Sequence, residues 1–306
     1  MSKGGESEAV DDDTCCCAAC GIAEIDDIKL VPCDDCDLVR YCGDTCQRDH
    51  KSEHEEACRK RAAELHDELL FKQPENSCLG DCPICMLPLL LDPMKSRIMT
   101  CCSKVICGGC YYANRMREKD MRLVPSCPFC REPTPRTDEE IRKQRMRRIE
   151  ANDPLAMCQQ GLKHCNKKDY HRAFEYFTKA AKLGYAWAHY QLSCLYHNGE
   201  GAERDEGKRI HHWEEAAIGG HPLARFNLGV HEHEWKNGSK ERAVKHWMIS
   251  AAQGDDKSIK ELMEMFKGGE LSKDDLTSAL RAYQAAVEAT KSPQREAAEK
   301  TRGSIF

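Results

Sequence analysis

Fifteen of the chain's 21 cysteines, together with His54, lie between Cys17 and Cys130 in two clusters whose spacing suits metal coordination. The first cluster runs Cys17-x2-Cys20, Cys33-x2-Cys36, Cys42-x3-Cys46 and His54-x3-Cys58. The second runs Cys82-x2-Cys85, the neighbours Cys101 and Cys102, Cys107-x2-Cys110 and Cys127-x2-Cys130. Zinc takes four thiolate or imidazole ligands in a tetrahedron, and a Cys-x2-Cys knuckle supplies two of them from one tight turn. Eight candidate ligands per cluster therefore accommodate two zinc ions each, about four per chain. With four protein ligands at each site no position is left open for water, so the expected role is structural rather than catalytic.

A disulfide scaffold is the competing explanation of so many cysteines, but such scaffolds belong to short secreted chains. Here the N-terminus is acidic (Glu6, Glu8, Asp11, Asp12, Asp13) and lacks the apolar stretch of a secretory signal. Nor does any segment approach the roughly 20 apolar residues of a membrane span. The expectation is an intracellular protein, cytoplasmic or nuclear, with no signal peptide and no membrane association.

The elements that must hold these ligands follow from composition. Length alone would suggest two domains, but the chain reads as multidomain, with two small zinc-stabilised modules followed by an α-helical solenoid. Residues 1–15 are an acidic segment expected to be disordered. Residues 16–58 hold the first cluster, 59–77 a helical linker, 78–133 the second cluster, and 134–152 a charged helical linker. The solenoid occupies 153–290 and a tail 291–306. Apolar residues are sparse in both cysteine modules, so metal must supply their folding free energy, with short strands, turns and one or two small helices expected.

The solenoid is legible as a repeat. Phe177, Trp213, Trp247 and Tyr283 recur at intervals of 36, 34 and 36 residues. Ala180, Ala216 and Ser250 follow the first three, and then come Gly184, Gly220 and Gly254. Small residues open each unit at Ala156, Ala188, Ala224 and Ser258, followed by Gly161, Ser193, Gly229 and Met263. About four helix pairs with a period near 35 residues result, small residues admitting close helix approach and the aromatic filling the groove. Glycine after the second helix is expected to end it in a left-handed cap. A single amphipathic bundle is the alternative, and the four landmarks in phase weigh against it.

The first cluster resembles the MYND zinc finger over residues 17–58: CAACG at 17–21, CDDC at 33–36, YCGDTCQ at 41–47, then His54 and Cys58. The resemblance implies interleaved ligands, with Cys17, Cys20, Cys42 and Cys46 on one zinc and Cys33, Cys36, His54 and Cys58 on the other. It also implies a protein-interaction module, often for proline-containing peptides. Lys51 stands where that family usually has Trp, and Cys15 and Cys16 leave the register open, although only Cys17 gives the x2 spacing to Cys20. Residues 1–58 carry 16 acidic against 5 basic side chains. A module so negative repels phosphate, which argues against nucleic acid and for a protein partner.

The second cluster looks like a RING finger, through CPIC at 82–85 and CPFCR at 127–131. That resemblance implies contacts to a ubiquitin-conjugating enzyme by Ile84 and Pro128, and to ubiquitin by Arg131. Catalysis of that kind is positioning, with no covalent step on the ligase and no catalytic residue in the covalent sense. Two departures stand out. Lys104 occupies the position of the usual histidine, so Cys101 beside Cys102 must complete an all-cysteine RING; and the segment after Cys110 (YYANRMRE) lacks the Trp many ligases use, leaving Tyr111, Tyr112 or Met116 to substitute. Residues 153–290 resemble Sel-1-like repeats of the tetratricopeptide class, which imply partner proteins on a concave face. Unit two is the clearest (AHYQLSCLYHNGEG, then HHWEEAAIGGHPLA). Unit one lacks the Gly-x-Gly loop and unit four the terminal Gly, so both read as caps.

Other candidates carry less. His211/His212 and His231-x-His233 read as helix-surface residues rather than ligands, and Cys158, Cys165 and Cys194 as small core hydrophobes. Arg142, Lys143, Arg145, Arg147 and Arg148 offer a localisation or phosphate patch, but interleaved with acids they read as a solvated connector. Two functions follow: a RING-type ubiquitin ligase whose MYND finger and repeats select partners, or a non-catalytic adaptor assembled from three interaction modules.

Overall fold

The computed structural model describes residues 16–25, 27–75, 77–235 and 238–301. The acidic segment expected to be disordered, Cys15 and the end of the C-terminal tail lie outside the described residues. The chain divides into two compact units, Met1–Leu70 and Phe71–Phe306.

In the first unit β1 (Val31–Pro32) and β2 (Arg40–Tyr41) pair antiparallel, with Val31 opposite Tyr41. Helix α1 (Asp44–Leu70) follows. At 27 residues it is far longer than the small helix expected of a zinc module. No Gly or Pro interrupts the run of Glu, Lys, Arg, Ala and Leu after the ligand-bearing turns, so nothing stops propagation. The core is small and built largely from candidate ligands: Cys17, Cys33 and Cys36 with Leu30 and Tyr41.

The second unit opens with another cysteine module. A 3-10 turn (Pro93–Lys95) leads into β3 (Ser96–Met99), which pairs antiparallel with β4 (Lys104–Cys107), Ile98 opposite Val105. Helix α2 (Gly108–Asp120) begins under Cys107, whose Sγ accepts from the Cys110 amide. Cys82, Cys107, Cys110 and Cys127 again share the core, here with Leu89, Met99 and Ile106.

Helix α3 (Asp138–Glu150) has Thr137 as its N-cap, accepting from the Glu140 amide. Its sequence reads as a solvated connector, yet one side is packed. The hydroxyl of Thr100 donates to the buried Gln144 at 2.6 Å, Gln144 donates on to Glu132, and Arg148 pairs with Asp153 at 2.5 Å. Arg147 is also paired to Glu132 and Arg142 to Glu139. These arginines are largely neutralised by neighbouring acids and do not form a free phosphate patch.

Helices then stack in pairs: α4 (Pro154–Asn166) with α5 (Tyr170–Lys182), α6 (Ala186–Asn198) with α7 (Glu206–Ile218), α8 (Pro222–Glu234) with α9 (Lys240–Ala251), and α10 (Asp256–Lys267) with α11 (Lys273–Ala289). The short α12 (Pro293–Lys300) closes the described chain. Asp153, Asp169, Asp205, Ser239, Asp255 and Ser272 cap helix starts by accepting amide hydrogens. The repeat landmarks meet as their spacing requires. A Cβ on Gly161 would lie 2.5 Å from Phe177, and one on Gly229 would lie 2.4 Å from Trp247. Each glycine is therefore the floor on which its unit's aromatic rests. Gly184, Gly220 and Gly254 all take positive φ, so the second helices end in left-handed turns. Cys158 is buried in this core, with Cys165 packed against it.

Two histidines, His221 and His246, are fully buried in the solenoid. His221 stacks on Tyr190 at 4.4 Å and His246 lies 4.7 Å from Phe71, its two ring nitrogens lacking hydrogen-bond partners. Burial lowers both pKa values to about 3, helped at His246 by the positive charges of Arg225 and Arg242.

Truncating Trp247 to Ala should cost about 3–5 kcal/mol, and Gly229→Ala should also destabilise by forcing the indole off its floor; urea unfolding followed by far-UV circular dichroism measures both. The histidines predict acid sensitivity with a definite sign. The folded state excludes a proton that the unfolded chain accepts below about pH 6.5, so stability is full above that pH and falls as pH drops toward the folded pKa, by up to about 1.4 kcal/mol per pH unit for each such histidine. Unfolding measured between about pH 7 and about pH 5.5 should show this slope, and His246→Leu should flatten it by about one proton.

Candidate metal centres

Four groups of potential ligands have all their donor atoms within 4.8 Å of one another: Cys17, Cys20, Cys42 and Cys46; Cys33, Cys36, His54 and Cys58; Cys82, Cys85, Cys107 and Cys110; Cys101, Cys102, Cys127 and Cys130. These are the sixteen residues singled out by spacing, and in both modules the pairs interleave. Cys46, His54 and Cys58 lie on α1, a turn or more apart. Among the described residues no such group forms on the repeat helices. There His189 and His212 approach to 3.1 Å between Nδ1 atoms, while His211 is exposed.

Four thiolates at the corners of a tetrahedron around zinc, with bonds of about 2.3 Å, stand about 3.8 Å apart. The observed Sγ separations bracket that value: 3.6 Å for Cys20–Cys42 and Cys42–Cys46, 3.7 Å for Cys33–Cys58, 3.8 Å for Cys85–Cys107 and Cys102–Cys127, 3.4 Å for Cys101–Cys130 and 4.0 Å for Cys101–Cys102. His54 Nε2 lies 3.1 Å from the Cys36 sulfur. All twenty described cysteines are free thiols.

The turns themselves are shaped for coordination. Four of the five Cys-x2-Cys pairs end in a residue with left-handed backbone: Gly21 (φ 74°), Asp37 (56°), Met86 (56°) and Arg131 (63°). In each, the amide of that residue donates to the carbonyl of the first cysteine: Gly21 to Cys17, Asp37 to Cys33, Met86 to Cys82, Arg131 to Cys127. Three of the four are not glycine and hold a conformation that costs of order 1 kcal/mol or more, which a metal bond to both sulfurs can offset. The fifth pair, Cys107-x2-Cys110, uses the first turn of α2 instead.

Electrostatics gives a second test of fit. Crowding drives the thiols apart in acidity. Cys82 falls to about 4 through the hydrogen bond from Cys107 and the amides around it, and Cys107 rises in consequence, burial adding to the effect. Burial and the nearby Cys130 push Cys101 up, and Cys58 rises to about 12 through burial and its neighbours Cys36 and Cys33. Four thiolates cannot share so small a volume without a cation at its centre. A divalent ion with a preference for sulfur is the group this donor set fits, and the tetrads are consistent with structural zinc.

Cys16 stands outside the first tetrad, so Cys17 sets the register. Lys104 contributes to no tetrad; its Nζ lies over the Phe129 ring at 5.7 Å. Ile84 and Phe129 are more than 40% exposed, and Arg131 is also at the surface. One important residue escaped sequence reasoning. Glu118 on α2 is 2% exposed and accepts from the Ser126 amide at 2.8 Å, from the Ser126 hydroxyl and from Asn114, with Arg115 at 3.1 Å. Burial opposes its charge, but these donors outweigh it and hold the carboxyl below the ordinary range. It fixes the approach to Cys127, and its only signal in the sequence is an acid among bases on a short helix.

Residues 17–58 match the MYND finger family model, and residues 155–185 and 188–221 match the Sel1 repeat. The chain carries a MYND finger and Sel1 repeats. Similar solved structures include a Sel1 repeat protein from Oxalobacter formigenes, 22% identical over 59% of this chain and 72% of that one, with a TM-score of 0.44. A protective antigen present in uropathogenic Escherichia coli strains, displaying an SLR fold, is 28% identical over 53% of this chain and 36% of its own, with a TM-score of 0.42. MYND finger and Sel1 repeats together make an architecture of protein-interaction modules. No helix among the described residues is long and apolar enough to cross a membrane.

The ligand geometry predicts that Lys104→Ala leaves the zinc content of purified protein unchanged, whereas Cys101→Ser lowers it by about one ion per chain. Inductively coupled plasma mass spectrometry reads the count, and loss of metal from the lysine variant would reverse the assignment.

Proposed function

We propose that the sixteen ligands hold four structural zinc ions and that residues 78–133 are a RING-type ubiquitin ligase module, the MYND finger and Sel1 solenoid recruiting partner proteins. The observation that carries this reading is the interleaving of Cys82, Cys85, Cys107 and Cys110 with Cys101, Cys102, Cys127 and Cys130, together with a large apolar residue exposed on the first and on the last knuckle. Ile84 on the first knuckle and Phe129 beside Pro128 on the last are exposed although large and apolar, as an interface anchor for a ubiquitin-conjugating enzyme must be. Arg131 sits in the left-handed position that ends the last knuckle. Its placement suits contact with ubiquitin carried on that enzyme. The ligase forms no covalent bond in this scheme. It holds the loaded enzyme in a reactive pose.

On the MYND finger, a groove of about 490 Å³ lined by Tyr41, Gln47, Lys51, His54 and Arg59 lies beside the second tetrad. It supports a short peptide as ligand, with Lys51 among the charged side chains that line it. An intracellular, reducing location accords with the lack of any disulfide among the twenty described cysteines.

The second reading is a non-catalytic adaptor. It is favoured by Lys104 resting on Phe129, which brings a positive charge to the surface where the conjugating enzyme would dock.

Discharge of ubiquitin from a panel of loaded conjugating enzymes separates the two. Ile84→Ala should weaken binding of the enzyme about tenfold or more, a loss of about 2 kcal/mol. Arg131→Ala should leave binding of the uncharged enzyme nearly intact and slow discharge, since its contacts form only with the ubiquitin-loaded form. Wild-type protein that discharges no member of the panel leaves the adaptor as the better account.

A further inference from the structure

Helix α12 packs against α2 of the second cysteine module, and one side chain from it enters the metal centre's surroundings. Arg295 is 5% exposed. Its Nη1 donates to the carbonyls of Pro88 at 2.7 Å and Thr290 at 2.8 Å; its Nη2 donates to the carbonyl of Leu87 at 3.1 Å and lies 3.6 Å from the sulfur of Cys85. The Leu87 carbonyl also receives the Cys82 amide, so the guanidinium grips the turn that presents Cys82 and Cys85. A Cβ on Gly109 would lie 2.7 Å from the Arg295 amide nitrogen, which explains the missing side chain there. Lys95 and Glu299 add a tie at 2.7 Å.

A buried guanidinium needs a compensating anion. Among the described residues no carboxylate is hydrogen-bonded to Arg295. The nearby negative charge is the sulfur cluster: four thiolates around one zinc carry a formal net charge of about −2. We propose that α12 is a latch on this metal centre and that Arg295 is its positioning residue, donating to the Cys85 thiolate and locking the Cys82–Leu87 turn so that zinc is retained. Outer partners that orient a ligand and balance its charge typically contribute a factor of about 10 to 100 in metal affinity. The latch joins residues more than 200 positions apart, so the metal centre and the end of the solenoid are mechanically coupled. This inference rests on the zinc reading given above.

The test uses full-length protein loaded with zinc, with release to a chromophoric chelator followed under native conditions. In wild type the four ions should be present by mass spectrometry. In Arg295→Met, one of them should leave about 10- to 100-fold faster, with the others unchanged and the helical circular dichroism signal intact. Arg295→Lys keeps the charge but loses the fork, and should fall between the two, which also guards against a Met variant that fails to fold. Unchanged release in both variants overturns the latch, as does equal acceleration of all four ions. A Cys85→Ser variant that keeps the full wild-type zinc content removes the zinc reading of that tetrad and the latch with it. A content of four with unchanged release removes the latch alone.

Discussion

Mutual repulsion among sulfur atoms is the constraint on which both cysteine modules depend. Each tetrad forces four donor groups into a volume less than 5 Å across, and the acidity of its members splits widely in response. Only a central cation turns that crowding from a cost into the organising contact of the module. The apolar cores are small and share their members with the ligand set, as in the cluster of Leu30 and Tyr41 with Cys17, Cys33 and Cys36. Folding and metal uptake are then one event, and the strained turns at Asp37, Met86 and Arg131 are held by the bonds they present.

The solenoid obeys the opposite rule. Its order comes from close packing of each unit's aromatic ring, which in the first and third units rests on the backbone of Gly161 and Gly229 one helix earlier, and from capping side chains at helix starts. Nothing in it needs a metal. The two halves of the second compact unit therefore respond to different insults: chelation and oxidation act on one, loss of close packing or protonation of buried imidazoles on the other.

Much of this was legible because it is local or periodic. A Cys-x2-Cys knuckle is a property of four adjacent residues, and the aromatic spacing near 35 is visible without any knowledge of three dimensions. The register at Cys17, the interleaving and the inclusion of Cys101 all follow from spacing plus resemblance. What the sequence hid are polar contacts between residues remote along the chain. Gln144 reads as one more polar residue on a charged helix, until Thr100, 44 positions away, is seen to donate to it. Glu118 looks like a partner for adjacent bases but serves a loop eight residues on. The helical linker expected from residue 59 is the second half of α1; what was missed is that local propensity carries one continuous helix through the ligands into it, because the expectation of a small helix in the finger came from the scarcity of apolar residues.

The contact between Arg295 and Cys85 also has a history in time. A ribosome adds about 5–20 residues per second, so the guanidinium is made roughly 10 to 40 s after the sulfur it meets. Throughout that interval the second cysteine module exists without its latch, and its thiols are open to metal exchange and to oxidants. Metal bound in that interval would meet a looser form of the site, and the helical array must be synthesised and stacked before α12 can close on it. An ion taken up before α12 arrives would then be the one the latch retains.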